Sequence, residues 1–225
     1  MFLQYLTINT SAELICFISA LVFLRKNRNW TSWFVITFLL LTVAAEMAAI
    51  PIKIHYLKDT KHNLPNIWLY NLLLVVQIIF YNIIFEVLLN KKIYKVAILF
   101  VLLPLLFGLY FYDISHHGLF EYNEITNSIF SVEIVLFALI YYHNLFRSDT
   151  SINLWTYPGF WFVTGALFFF FGSTVLNLFY DTIKKILPHN KHFVGYIYNV
   201  LNILLYGFWS YSFICRRWLS PTSVA

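Results

Sequence analysis

Four glutamates lie inside apolar stretches that contain no lysine or arginine: Glu13, Glu46, Glu86 and Glu133. A charged side chain within a bilayer costs several kcal/mol unless it is neutralised or hydrated. A carboxyl group in such a place can hold a proton, bind a metal or organic cation, or face a water-filled cavity. These chemistries predict different roles: attachment between helices, cation or proton transport, or recognition of a ligand.

The stretches that carry these glutamates belong to an apolar chain. Of its 225 residues, 60% are hydrophobic and 11% charged, whereas a soluble domain carries about a quarter charged residues. Seven apolar segments of about 20 residues can each cross a hydrocarbon core about 30 Å thick. They cover residues 3–24, 31–52, 67–89, 93–111, 125–146, 157–179 and 193–215. We therefore predict an all-α polytopic integral membrane protein, with residues 1–225 forming one seven-transmembrane-helix bundle.

Basic residues between the segments predict the orientation. With the N-terminus outside, nine lysines and arginines flank the inner ends and six the outer ends, and an excess of positive charge marks the inner side of a membrane. We therefore predict an N-out, C-in topology. The nine are Arg25, Lys26, Arg28, Lys91, Lys92, Lys95, Arg147, Arg216 and Arg217. Because the basic residues are spread over the connections and not gathered on one face, the net charge of +5 does not indicate nucleic-acid binding.

Depth along each segment then separates the glutamates. Glu86 lies near the inner interface, where Lys91 and Lys92 can reach it by extending their side chains. The other three fall in the outer half, at the depth of amides on the third and seventh segments. Steps of three and four residues also bring tyrosines to these faces, and aromatic rings suit amines as well as apolar groups. We predict a ligand-binding site formed by Glu13, Glu46, Gln77, Tyr81, Glu133, Asn199, Asn202 and Tyr206.

The fourth segment differs from the others because it is apolar on all sides between Lys95 and Tyr110. A helix of this kind can face lipid, and proline bends a helix. We expect the segment at the periphery of the bundle, with a bend caused by Pro104 and Gly108.

Several chemistries are excluded by missing residues. The seventh segment has no lysine for a retinal Schiff base and no His-x-x-x-His pair for a zinc hydrolase, and the chain has no Gly-x-Ser-Gly motif. The histidines outside the segments do not follow a known metal-ligand spacing. We expect no catalytic residues, no metal site and no cofactor, and we do not expect an enzyme.

The last two segments are rich in aromatic and small residues, with WTYPGFWFVTGALFFFFGS from Trp155 and YNVLNILLYG from Tyr198. This pattern resembles a group of uncharacterised bacterial seven-helix membrane proteins, which are similar to the seven-transmembrane sensor regions of histidine kinases. The resemblance implies a bacterial inner membrane protein that takes part in signal transduction. Because the sequence after Arg217 is too short for a kinase, a separate signalling protein or a homo-oligomer would carry the response.

We expect a membrane sensor or signalling subunit that binds a small or amphipathic ligand from the outer side. Two alternatives stay open. In a small proton- or cation-coupled transporter or channel, the same glutamates would bind protons or cations in turn. In a structural or effector subunit of a larger membrane complex, protonated glutamates would only hold helices together. In each case the lipid bilayer surrounds the chain.

Overall fold

The fold is all-helical throughout the part of the chain that the structure describes. A computed structural model describes residues 7–25, 29–58, 66–147, 153–179 and 193–215, together with Ile183 and Lys185. The main helices are α1 (Ile8–Leu24), α2 (Trp30–Lys58), α3 (Ile67–Leu89), α4 (Lys92–His117), α5 (Glu124–Arg147), α6 (Pro158–Leu178) and α7 (Phe193–Ile214). The predicted all-α class is confirmed.

Five of these helices are long and apolar enough to cross a membrane: α2 over Trp30–Ile52, α3, α4, α5 and α6. Helix α1 is apolar but has 17 residues. Helix α7 has 22 residues and carries two asparagines and four tyrosines, which lower its mean hydropathy. The helices fit an integral membrane protein, while the count of seven spans, the orientation and the kind of membrane stay predictions.

Helix contacts form a closed ring. Helix α7 packs between α6 and α1, the ring continues through α2 and α3, and α5 closes it by packing against both α3 and α6. Helix α4 lies outside this ring, against α3 and α5. Only 17% of its most apolar part is buried, compared with 50% for α3, so the predicted peripheral position of the fourth segment is confirmed.

Helix α4 contains a wide helical turn next to Pro104, in the region where a bend is predicted. Residues Ile98–Leu102 of α4 are π-helical, directly before the regular part that carries Pro104 in its first turn. Proline has no N–H and its ring crowds the carbonyl four residues earlier, so a wider turn accommodates it without ending the helix. The helix continues to His117, beyond the predicted end at Phe111.

The predicted partners of Glu86 were wrong. Its Oε1 lies 2.7 Å from the Nζ of Lys95, and not beside Lys91 or Lys92. Asn90 ends α3 in the left-handed conformation, with φ of 44°, a geometry that asparagine tolerates. The chain reverses there, and α4 runs back along α3 so that Lys95 reaches Glu86.

Buried polar contacts hold the connection between α4 and α5. Thr126 donates from its backbone N and its Oγ1 to Oδ2 of Asp113, at 2.9 and 2.7 Å. Asn71, near the start of α3, donates from Nδ2 to the carbonyls of Leu119 and Glu121 at 2.8 and 2.7 Å. The connection is thereby fixed over the first turns of α3 and α5.

Candidate functional site

A polar cavity of about 190 Å³ lies between α3, α5, α6 and α7, next to the α4–α5 connection. Its described lining carries amide and hydroxyl groups but no charged side chain. The polar lining residues are Tyr70, Asn71, Gln77, Tyr122, Asn127, Ser131, Ser173, Asn177 and Tyr198. An engineered cavity of about 150 Å³ takes up benzene, so this cavity can hold a molecule of that size or slightly larger. We call it the polar cavity.

Helical spacing explains why these groups face one another. Tyr70 and Gln77 of α3 are two turns apart, so they lie on one side of that helix. The polar residues of α5 and α6 come in pairs four residues apart, Asn127 with Ser131 and Ser173 with Asn177, and each pair shares one helix face. Packing of α5 and α6 against each other and of α5 against α3 turns these faces towards one space.

Several polar groups of the cavity already have partners within the protein. The Tyr198 hydroxyl donates to Oδ1 of Asn177 at 2.7 Å, joining α7 to α6. Ser131 donates to the Asn127 carbonyl at 2.7 Å and Ser173 to the Phe170 carbonyl at 3.1 Å.

Other polar groups of the cavity are left open. Asn71 is 1% exposed, and its Oδ1 has no hydrogen-bond partner among the described residues. This oxygen is enclosed by protein atoms, so a bound molecule does not reach it without a rearrangement. The side-chain amides of Gln77 and Asn127 complete a surface suited to hydroxyl and amide groups.

Tyr122 lies in the connection before α5 and also lines the polar cavity. Although 47% of the residue is exposed, removal of its hydroxyl from water raises the pKa of Tyr122 to about 12, and nearby Tyr198 and Glu124 act in the same direction. The hydroxyl of Tyr122 is therefore neutral at physiological pH and can donate a hydrogen bond.

Two of the predicted glutamates lie together beside this cavity and not in its lining. Tyr70 donates from its hydroxyl to Oε2 of Glu46 at 3.3 Å, and Tyr206 forms a side-chain hydrogen bond with Glu13. The two carboxyl groups are close enough to interact electrostatically. Glu13 is 4% exposed, and its Oε2 has no hydrogen-bond partner in the described part of the chain. We call Glu13, Glu46, Tyr70 and Tyr206 the acidic cluster.

Glu133 is separate from both groups. It is 7% exposed and lies near the amide of Asn82 on α3. Asn82 donates its Nδ2 to the Ile78 carbonyl at 3.0 Å, which leaves its Oδ1 and both Glu133 oxygens without partners among the described residues. A proton on Glu133 would allow it to donate to Oδ1 of Asn82, so this pair suits attachment of α5 to α3.

The remaining predicted site residues are distributed over other contacts. Gln77 alone of the eight lines the polar cavity. Tyr81 is 2% exposed and packs edge-on against Phe170 at 4.9 Å in an aromatic core. Asn202 donates to the Tyr198 carbonyl of its own helix at 2.9 Å, and Asn199 is half-buried on α7. The predicted residues therefore do not form one site.

Most of the cavity lining was missed from the sequence. The signal was the pairing of polar residues four positions apart, Asn127 with Ser131 near the start of one apolar segment and Ser173 with Asn177 near the end of the next. Single serines and asparagines of this kind are weaker indicators than a glutamate, because they can satisfy themselves on their own helix.

In comparisons with known proteins, no family model, no curated protein and no solved structure matches this chain. Among the residues that the structure describes, no three histidine, cysteine, aspartate or glutamate side chains are grouped as metal ligands. The resemblance to sensor regions therefore stays a prediction, and the polar cavity and the acidic cluster are the features from which a function is argued.

Proposed function

We propose that this chain is a membrane sensor that binds a small uncharged ligand in the polar cavity. One observation carries the proposal, namely that the described lining consists of amide, hydroxyl and apolar groups without a charged side chain. A ligand with hydroxyl or amide groups would pair with these atoms, while its apolar part would contact Leu74 and Phe169. A charged ligand would be disfavoured, because a buried charge needs an opposite charge beside it.

The orientation proposed is N-out and C-in, with seven spans. The polar cavity adjoins the α4–α5 connection and the first turns of α3 and α5. Arg25, Lys91, Lys92 and Arg147 lie at the opposite ends of their helices. The positive-inside rule supports an inner location for that end, so the ligand would reach the cavity from the outer side.

A ligand can change the protein only if it prefers one arrangement of the helices. The Tyr198–Asn177 hydrogen bond joins α7 to α6 in the cavity wall, and a ligand that takes either partner would loosen that contact. At its other end α7 meets the segment before α6, where Tyr211 and Cys215 donate to the Trp155 carbonyl at 3.3 and 3.5 Å. We propose that a shift of α7 is read there by a separate signalling protein or a second copy of this chain.

Thermal unfolding in lipid nanodiscs tests the ligand site. A panel of small uncharged hydroxyl and amide compounds is screened for stabilisation, which reaches about 2.7 kcal/mol at one hundred times the Kd. A compound that binds in the polar cavity should stabilise the wild type and Asn202→Leu, but not Asn127→Leu. Both asparagines are half-buried, and Asn202 does not line the cavity, so it is a matched control. Equal stabilisation of all three proteins would refute the assignment.

The acidic cluster supports a second candidate, a proton- or cation-coupled transporter. Glu13 and Glu46 interact across α1 and α2, and the salt bridges of the described residues include none to either carboxyl group. Reconstituted protein would then show a flux driven by a proton gradient that vanishes in Glu13→Gln and Glu46→Gln and persists in Glu86→Gln. Absence of any gradient-driven flux would favour the sensor.

A further inference from the structure

A second recess lies on the outside of the helix ring, between α5 and α6. Its volume is about 370 Å³, and Tyr122 and Asn177 line both this recess and the polar cavity. The recess, which we call the lateral groove, is bordered by Ser128 and Val132 of α5 and by Thr174 and Leu178 of α6. The polar cavity and the surface of the ring thus meet at two side chains.

The lateral groove combines apolar and polar contacts. Leu178 is 75% exposed and Val132 47% exposed, as expected for side chains that face hydrocarbon. Ser128 and Thr174 place hydroxyl groups between them, and Glu124, the first residue of α5, lies at one end. A surface of this kind fits a molecule with a hydrocarbon chain and an uncharged polar head, while the carboxylate of Glu124 would repel an anionic head.

The side chains between groove and cavity are not locked in the core. Tyr122 belongs to the α4–α5 connection and is 47% exposed. Asn177 is exposed in the last turn of α6, where its Oδ1 accepts a hydrogen bond from the Tyr198 hydroxyl at 2.7 Å. Rotation of these two side chains would open a path between the helices without moving the packed aromatic residues behind the cavity.

We infer that the ligand is an uncharged single-chain amphiphile that reaches the polar cavity sideways from the outer leaflet. This inference rests on the ligand site proposed above. Its hydroxyl- or amide-bearing head occupies the cavity, passing Tyr122 and Asn177, and its chain lies in the lateral groove along Val132 and Leu178. A phospholipid head group is excluded by its charges, since the described lining of the cavity offers no charged partner.

Photolabelling with a monoacylglycerol that carries a diazirine on its chain tests this inference. The protein is reconstituted in phosphatidylcholine nanodiscs, and labelled positions are mapped by mass spectrometry. Labelling of residues 124–132 and 174–178 should exceed labelling of α4 residues such as Phe100 by about ten-fold, as expected for a site that binds about 1.4 kcal/mol more tightly than bulk lipid. Equal labelling of the groove and of α4 overturns the inference.

Four variants separate the groove from the cavity. Ser128→Trp fills the groove at an exposed position and should abolish the excess labelling, whereas Val101→Trp on α4, 60% exposed, should leave it unchanged. Thr174→Val tests the groove with a smaller change and should weaken the labelling. Unchanged labelling in Ser128→Trp would overturn the inference of sideways access but would leave the proposed ligand site intact. Unchanged labelling in Asn127→Leu overturns the cavity as the ligand site, and with it both proposals.

Discussion

Substitution of Gly165 by alanine should disturb the close packing of α6 on α7. A Cβ at Gly165 would lie 3.0 Å from the Leu205 carbonyl oxygen, 3.1 Å from Cδ1 of Trp209 and 3.2 Å from Cβ of Phe208. The carbonyl belongs to the α7 backbone and cannot rotate away. Trp209 is also held in place, because its Nε1 donates to the Phe162 carbonyl at 3.1 Å and its ring stacks on that of Phe162 at 4.4 Å.

The expected cost follows from two opposing effects. Forcing an extra group into a packed contact costs about 1–3 kcal/mol, whereas alanine improves helix formation over glycine by about 1 kcal/mol. We expect Gly165→Ala to lower the free energy of unfolding by up to about 2 kcal/mol, which is a decrease in Tm of up to about 8 °C for a chain of this size.

Two other glycines serve as controls. A Cβ at Gly172 would lie 2.7 Å from Cδ2 and 2.9 Å from Cδ1 of Leu201, and this flexible side chain can turn aside, so Gly172→Ala should be nearly neutral. A Cβ at Gly207 has nothing within 4 Å, so Gly207→Ala should stabilise by up to about 1 kcal/mol. Equilibrium unfolding in mixed micelles of dodecyl maltoside and sodium dodecyl sulfate, followed by tryptophan fluorescence, measures all three. Equal stability of Gly165→Ala and Gly207→Ala would refute the close packing of α6 on α7.

Three further substitutions test other contacts by the same assay. Asp113→Ala should lower the free energy of unfolding by about 2–4 kcal/mol, because it removes the two buried hydrogen bonds that Thr126 donates to its carboxyl group and leaves these donors without a partner. A loss below about 0.5 kcal/mol would contradict a stabilising role for these bonds. Glu133→Gln should change the free energy of unfolding by less than about 1 kcal/mol, because a glutamine NH₂ group can donate to Oδ1 of Asn82 as a protonated glutamate would. A loss above about 2 kcal/mol would indicate that Glu133 is an ionised carboxylate with a partner. Lys95→Ala should cost less than about 1 kcal/mol, because its side chain is 57% exposed and exposed ion pairs contribute little; a cost above about 2 kcal/mol would contradict this.

The sequence predicts helices well in this chain because a segment that spans a bilayer needs about 20 consecutive apolar residues, and such stretches are conspicuous in a sequence. Counting residues along each segment also gives an estimate of depth along the membrane normal, and the depths of the glutamates stay predictions. The sequence does not determine which helices are neighbours or which faces meet. Glu13 and Glu46 come together with Tyr206, while Glu133, at a similar predicted depth, faces Asn82 instead.

The polar cavity illustrates the same limit. Its lining comes from four helices whose order around the ring is set by packing, for example by the close approach at Gly165. Gln77 was predicted because a glutamine in an apolar segment is conspicuous. Ser131 and Ser173 were not, because each bonds to its own helix and would be unremarkable if it faced lipid.

Native mass spectrometry of gently extracted protein tests most directly whether the polar cavity is a ligand site. We predict that the wild type and Asn202→Leu retain the same uncharged small-molecule adduct and that Asn127→Leu loses it. A bare protein in every case, or the same adduct on all three proteins, would contradict the proposal that this cavity binds the ligand.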